Sequence, residues 1–196
     1  QGNATDFGDR TTTGFNLGGL SNETRGIFFG GHAPADRDVI DFVTIASKGN
    51  AVDFGNLLSA SHGVIGCASP TRGVIGGNST PTNEIQFITI ATTGDAKDFG
   101  DLIRSTHNMG SASNATRGLF GGGSQSPNNE IQYITIASLG DAVNFGDLSV
   151  ARQCSDGAPS PTRCAFGGGY EPCNSSVIDY VEFATQSDAV DFGDLT

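Results

Sequence analysis

Tryptophan is absent from the 196 residues, methionine occurs once, and lysine and arginine together number only 10 against 21 aspartates and glutamates. The resulting net charge of −11 excludes the usual nucleic-acid binder, which needs clustered cations to displace counterions from phosphates. It equally disfavours an anionic membrane surface, and is read as a solubility feature. No run approaches the ~18 consecutive apolar residues of a spanning helix, so no membrane partner is expected. Nothing keeps a helical period over a useful length. The four cysteines lack the paired C-x-x-C spacing of a zinc site. Cys67 stands alone, while Cys154, Cys164 and Cys173 crowd one region. In an oxidising compartment a disulfide is expected there, either Cys154 with Cys164 across a hairpin or Cys154 with Cys173. The alternative is four reduced, buried thiols. No nucleophile–base pair stands out, so no enzyme is expected.

What the chain has in abundance is glycine, 29 residues, and repetition. The phrase Asp53-Phe54-Gly55-Asn56-Leu57 returns at Asp98–Leu102, Asn144–Leu148 and Asp191–Leu195, with an early copy at Asp6–Asp9; successive starts lie 47, 45, 46 and 47 residues apart. A fixed period of this size marks a repeat architecture. Thr-Arg recurs at Thr24-Arg25, Thr71-Arg72, Thr116-Arg117 and Thr162-Arg163, each followed by an apolar run that ends in glycines. A long strand follows, as in Ile85-Gln86-Phe87-Ile88-Thr89-Ile90. It carries apolar residues on both faces, which predicts a sheet covered on both sides. Each repeat therefore reads as three or four short strands, the last carrying the Phe-Gly phrase.

The expected fold is one all-β domain of four tandem repeats, approximately 6–52, 53–97, 98–143 and 144–190; one phrase is spare, either Asp6–Asp9 or 191–196, and 191–196 is assigned as the spare terminal strand. Small sheets stacked face to face around an axis make a β-propeller, whose blades are typically four-stranded. An open β-repeat solenoid is the alternative. The chain opens at Gln1 inside a repeat, as expected of a processed chain or a piece of a longer array.

Leu119-Phe120-Gly121-Gly122, then Tyr133, then Phe145, resembles the kelch repeat, although kelch blades favour Trp near the place of Phe145 and a shorter spacing from the preceding aromatic. The stretch Tyr133–Leu148 also resembles glycine-rich repeat proteins of marine and freshwater phages. That resemblance implies a virion structural component and no catalytic residues.

Several residues are candidates for specific roles. The recurrent Arg25, Arg72, Arg117 and Arg163 are expected to pair with Asp9, Asp101, Asp147 and Asp194 (Asn56 in one repeat), fixing register between sheets through charge-assisted bonds. Asp95, Asp141 and Asp188, with Asp53, Asp98 and Asp191 shortly after, raise calcium. Asx turns explain them equally well, so no cofactor is expected. Five sequons place candidate N-glycosylation at Asn3, Asn22, Asn78, Asn114 and Asn174. His62 and His107 fall one position apart in the first strand of their repeats, His32 elsewhere, and all three read as ordinary surface or core side chains rather than a metal set.

The expected function is a structural building block of a virion, tail fibre or extracellular filament, self-associating by exchange of the spare strand. A carbohydrate-binding propeller, recognising ligand through the variable loops after the glycine clusters, is the second reading.

Overall fold

The structure is a computed structural model, which describes residues 2–80, 82–124, 128–170 and 172–196. Among the described residues sixteen strands form four antiparallel sheets of four strands, each a simple meander in chain order. The first sheet is β1 (Gly18–Ser21), β2 (Arg25–Phe29), β3 (Arg37–Thr44) and β4 (Val52–Ser61). The second is β5 (Ile65–Ala68), β6 (Arg72–Gly76), β7 (Glu84–Thr89) and β8 (Lys97–Asp101). The third is β9 (Gly110–Ser113), β10 (Arg117–Gly121), β11 (Glu130–Thr135) and β12 (Val143–Asp147). The fourth is β13 (Asp156–Pro159), β14 (Arg163–Gly167), β15 (Val177–Glu182) and β16 (Val190–Asp194). The sheets are propeller-like blades: β1 lies against β5, β5 against β9 and β9 against β13, and these four strands line one concave surface. Among the described residues the row is open, with the fourth blade not joined back to the first.

The folding unit is offset from the sequence repeat by one strand. Each blade ends with the Phe-Gly phrase rather than beginning with it. The spare copy is therefore not 191–196, since β16 is the paired fourth strand of the last sheet. It is Asp6–Asp9, which belongs to no sheet.

The core consists of three dry seams between successive blades. The first joins Ile27, Phe29, Ile40, Phe54 and Leu57 to Ile75, Ile88, Ile90 and Ala96 of the next blade. The second and third repeat this plan around Phe99 with Phe120 and around Phe145 with Phe166. The two-faced third strand is thereby explained: on β7, Ile85 enters the second seam and Ile88 the first. Every sheet is also bulged at the same place, between Ile40 and Asp41, Ile85 and Gln86, Ile131 and Gln132, and Ile178 and Asp179. The glycine of the phrase sits opposite each bulge with φ between 141° and 155°. Only glycine tolerates that conformation readily, which is why the phrase is invariant at Gly.

The residue after each bulge is polar and buried: Asp41, Gln86, Gln132 and Asp179. It secures the chain leaving the preceding phrase. Gln86 Oε1 accepts the Leu58 N–H at 2.8 Å and Gln132 Oε1 the Ile103 N–H at 2.9 Å. Asp41 instead takes Arg10 Nε at 2.9 Å. Asp179 takes the Ser149 hydroxyl at 2.6 Å and the fully buried Arg152 at 2.8 Å.

All four cysteines are free, so the disulfide expected among Cys154, Cys164 and Cys173 is not formed. Cys164 pairs with Pro159 at the far end of β13, whereas Cys154 precedes Asp156 at the near end. The hairpin thus separates the two thiols along its length. Cys67 and Cys164 are buried in the seams, where loss of hydration pushes both thiols up to about 12; Cys154 and Cys173 are exposed.

Removing a buried ion's partner leaves an uncompensated charge, which costs about 3–5 kcal/mol. Asp179→Ala, which strands Arg152, is expected to destabilise the chain by that amount in urea denaturation. Asp194→Ala on the exposed end of β16 is expected to change stability by less than about 0.5 kcal/mol.

Candidate assembly interface

The phrase that organises the sequence also makes the contact between repeats. Its peptide groups bond to the turn before the last strand of the following blade. Gly94 N–H donates to the Phe54 carbonyl at 2.7 Å and Ala96 N–H to the Asn56 carbonyl at 2.8 Å. Gly140 and Ala142 bond Phe99 and Asp101 in the same way at 2.9 and 2.8 Å, and Ala189 bonds Asp147 at 2.7 Å. The turn's acid completes each joint. Asp95, Asp141 and Asp188 accept the N–H of Asn56, Asp101 and Asp147 at 2.9, 3.0 and 3.1 Å. Asp98 and Asp191, also among the aspartates that raised calcium, accept the N–H of the bulge glycines Gly100 and Gly193.

The expected Arg–Asp pairs are not formed. Arg72 is paired with Thr89 at one end of β7, and Asp101 with Glu84 at the other. At ~3.3 Å per residue these ends lie about 16 Å apart. Each arginine instead lies over the aromatic ring of its own blade's third strand, with Arg25, Arg72, Arg117 and Arg163 at 4.4, 4.6, 4.8 and 4.9 Å from the rings of Phe42, Phe87, Tyr133 and Tyr180. From there Arg25 donates to the Ile90 carbonyl, Arg72 to Ile136 and Arg117 to Phe183, always one blade onward. Cation–π contact and carbonyl bond together make the arginine a second rivet between blades.

Both ends of the row expose half of this joint. On the last blade Phe192 is 67% exposed, whereas Phe54, Phe99 and Phe145 are 2–3% exposed. A Cβ placed on Gly55 or Gly100 would meet a backbone carbonyl of the next turn at 2.5 Å; one placed on Gly193 meets nothing within 4 Å. Arg163 has no onward carbonyl and pairs with Glu182 at 3.2 Å. On the first blade Ile45 is 46% exposed, while its equivalents Ile90, Ile136 and Phe183 are buried. There Phe28, Val43 and Ile45 line an apolar hollow. Its rim is Asp6–Asp9, bonded to the Gly49–Ala51 turn as the other phrases are bonded to theirs: Gly49 to Phe7 at 2.9 Å, Ala51 to Asp9 at 2.8 Å, and Asp9 N–H to Asn50 at 3.0 Å.

The sequons divide by use. Asn22 and Asn114 cap their turns and donate from Nδ2 to the Pro70 and Pro161 carbonyls of neighbouring chain segments. Asn78 is buried against Ser61 and Ser59. Asn3 and Asn174 are exposed. Of the variable loops, residues 81, 125–127 and 171 lie outside the described residues.

His62 and His107 hold the same repeat position, three residues before β5 and β9 rather than inside them, each followed by a residue of positive φ, Gly63 at 65° and Asn108 at 54°. The first-blade loop brings His32 and Asp36 up to His62. Burial opposes ionisation of Asp36, but bonds from His32, Ser79 and His62 outweigh it and hold the carboxyl down at about 2. Asp36 carried no signal in the sequence, because two of its partners, His62 and Ser79, come from the next repeat. Comparison with protein-family models and with curated proteins found no match to this chain.

Gly100 and Gly193 share the same unusual φ, 145° and 141°, so their alanine variants carry equal backbone strain and differ only in what the methyl meets. Gly100→Ala is expected to cost about 1–3 kcal/mol more than Gly193→Ala, read by denaturant unfolding of the dilute chain. Equal costs would mean that the joint does not hold the blades.

Proposed function

We propose that this chain is a non-catalytic structural repeat module, a building block of a virion, tail fibre or extracellular filament, which self-associates head to tail through its repeat joint. The observation that carries this reading is the open phrase of β16, whose Phe192 and Gly193 lack the partner that every internal copy has. The first blade offers the complementary half, an apolar face beside a Gly-Asn-Ala turn. In the assembled form β16 of one copy takes the position of Asp6–Asp9 on the next. This refines the exchange expected from the sequence: the joint runs from phrase to turn, and Asp6–Asp9, bonded to the Gly49–Ala51 turn, is the placeholder that β16 displaces. A heterologous contact of this kind builds a ring if its rotation closes and a fibre if it does not. The resemblance to phage repeat proteins supports the virion setting, and nearest-neighbour packing suits a part built by repetition.

Sedimentation and electron microscopy of the full chain test the reading. Gly8→Val sets a side chain against the Gly49 carbonyl and evicts the placeholder, so it is expected to raise association above wild type. Gly193→Val blocks the other half and is expected to abolish it, alone and combined with Gly8→Val. Association unaffected by Gly193→Val, or wild type and Gly8→Val both monomeric at every concentration, would overturn the proposal.

A further inference from the structure

The structural residues of this protein recur from blade to blade, so a polar cluster that does not recur stands out. One such cluster joins the first repeat to the second. His32 Nδ1 lies 2.6 Å and His62 Nδ1 2.8 Å from the same oxygen, Asp36 Oδ1. The two rings are 5.3 Å apart and inclined at 72°, so they converge on the carboxylate from different directions. All three donor atoms lie within 4.8 Å of one another, and this is the group of three potential ligands found among the described residues. At the position of His32 the other repeats have Ser79, Ser124 and Tyr170; at the position of His62 they have Phe15, His107 and Gln153.

From this geometry we infer a divalent transition-metal site formed by His32, Asp36 and His62, a clip between the first and second repeats. Two imidazoles and one carboxylate suit Zn²⁺, Ni²⁺ or Co²⁺, whereas Ca²⁺ and Mg²⁺ take oxygen ligands. Three protein ligands leave a position for water. The supports are those a metal site needs. His32 is clamped by paired backbone bonds with Phe15, at 3.2 and 3.0 Å. The Ser79 hydroxyl donates to Asp36 Oδ2 at 2.7 Å, which orients the carboxylate and leaves Oδ1 for the ion. The three side chains are half-buried, held in place yet reachable from solvent. Ligand atoms around zinc lie roughly 3.3 Å apart, so small side-chain rotations open the set to receive the ion at Nδ1, with each neutral ring carrying its proton on Nε2.

The clip also has a mechanical role. His62 opens the connector that leaves β4, the longest strand, and Ser79 belongs to the second blade. An ion here ties the connector to loops on both sides of the first seam.

The test uses the untagged full chain with Cys154→Ser and Cys173→Ser, so that exposed thiols cannot compete. Zinc alone is titrated by calorimetry, and Co²⁺ absorption reports the ligand field. We expect one ion per chain, a melting temperature raised by several degrees and restored by chelator, and a nitrogen- and oxygen-ligated Co²⁺ spectrum. His32→Ala and His62→Ala should each weaken binding at least about 100-fold, and Ser79→Ala about 10-fold. His107→Ala, whose ring lies 6.2 Å from that of His62, should leave it unchanged. Substoichiometric binding, or equal affinity in His32→Ala and His62→Ala variants that keep the native circular dichroism, overturns the site.

Discussion

The contact between a bulged glycine and the turn of the following blade is the constraint on which the rest of this structure depends. At Gly55 and Gly100 two backbones approach so closely that no side chain fits between them. That closeness aligns the carbonyls of the phrase with the N–H groups of the turn, and it presses Phe54, Phe99 and Phe145 into the seams. Burying a phenylalanine is worth about 1.5–3 kcal/mol, so the aromatic provides the main driving force while the glycine and the turn set where it is delivered. The arginine rivet fixes the same connection a second time, Arg25 bonding the Ile90 carbonyl beside the Gly94 bond to Phe54.

Much of this was legible in the chain. The period, the four strands per repeat and the two-faced third strand follow from spacing and hydrophobic pattern, because those depend on near neighbours in sequence. The role of the glycines was half legible: their recurrence pointed to close approach, but not to which backbone approached. Arginine was misread for a related reason. Recurrence of Arg72 and Asp101 in every repeat suggested a pair, yet cross-strand register puts them at opposite ends of β7, a distance no one-dimensional reading supplies. The Cys154–Cys164 alternative failed in the same way, because the register of β13 sets those two thiols at opposite ends of the hairpin. The histidine cluster was invisible because His62 falls in the sequence neighbourhood of the second repeat while its partners His32 and Asp36 stand in the first.

The two end blades differ from the middle ones in how they fill the buried polar position beyond the bulge. Gln86 and Gln132 answer a backbone N–H with a neutral side chain, whereas Asp41 and Asp179 are charged and recruit Arg10 and Arg152. A buried ion pair adds little net stability over a neutral substitute but penalises any arrangement that separates its members. Its placement at Asp41 anchors the segment that leads away from the placeholder phrase, and at Asp179 it braces the blade that ends in an open face.

The direction of the joint bears on how such a chain is made. Every phrase waits for a turn that lies further along the polypeptide: Phe54 for Gly94, Phe99 for Gly140, Asp147 for Ala189. On a ribosome, a blade can pair its four strands as soon as they emerge, but its last aromatic stays uncovered until roughly forty more residues have been synthesised. Completion therefore travels from the amino end toward the carboxyl end as a wave that trails synthesis by one blade. Apart from the outer face of the first blade, only the newest hydrophobic face is bare at any moment, so a long repetitive sequence, whose copies could otherwise pair out of order, closes each seam with its proper neighbour.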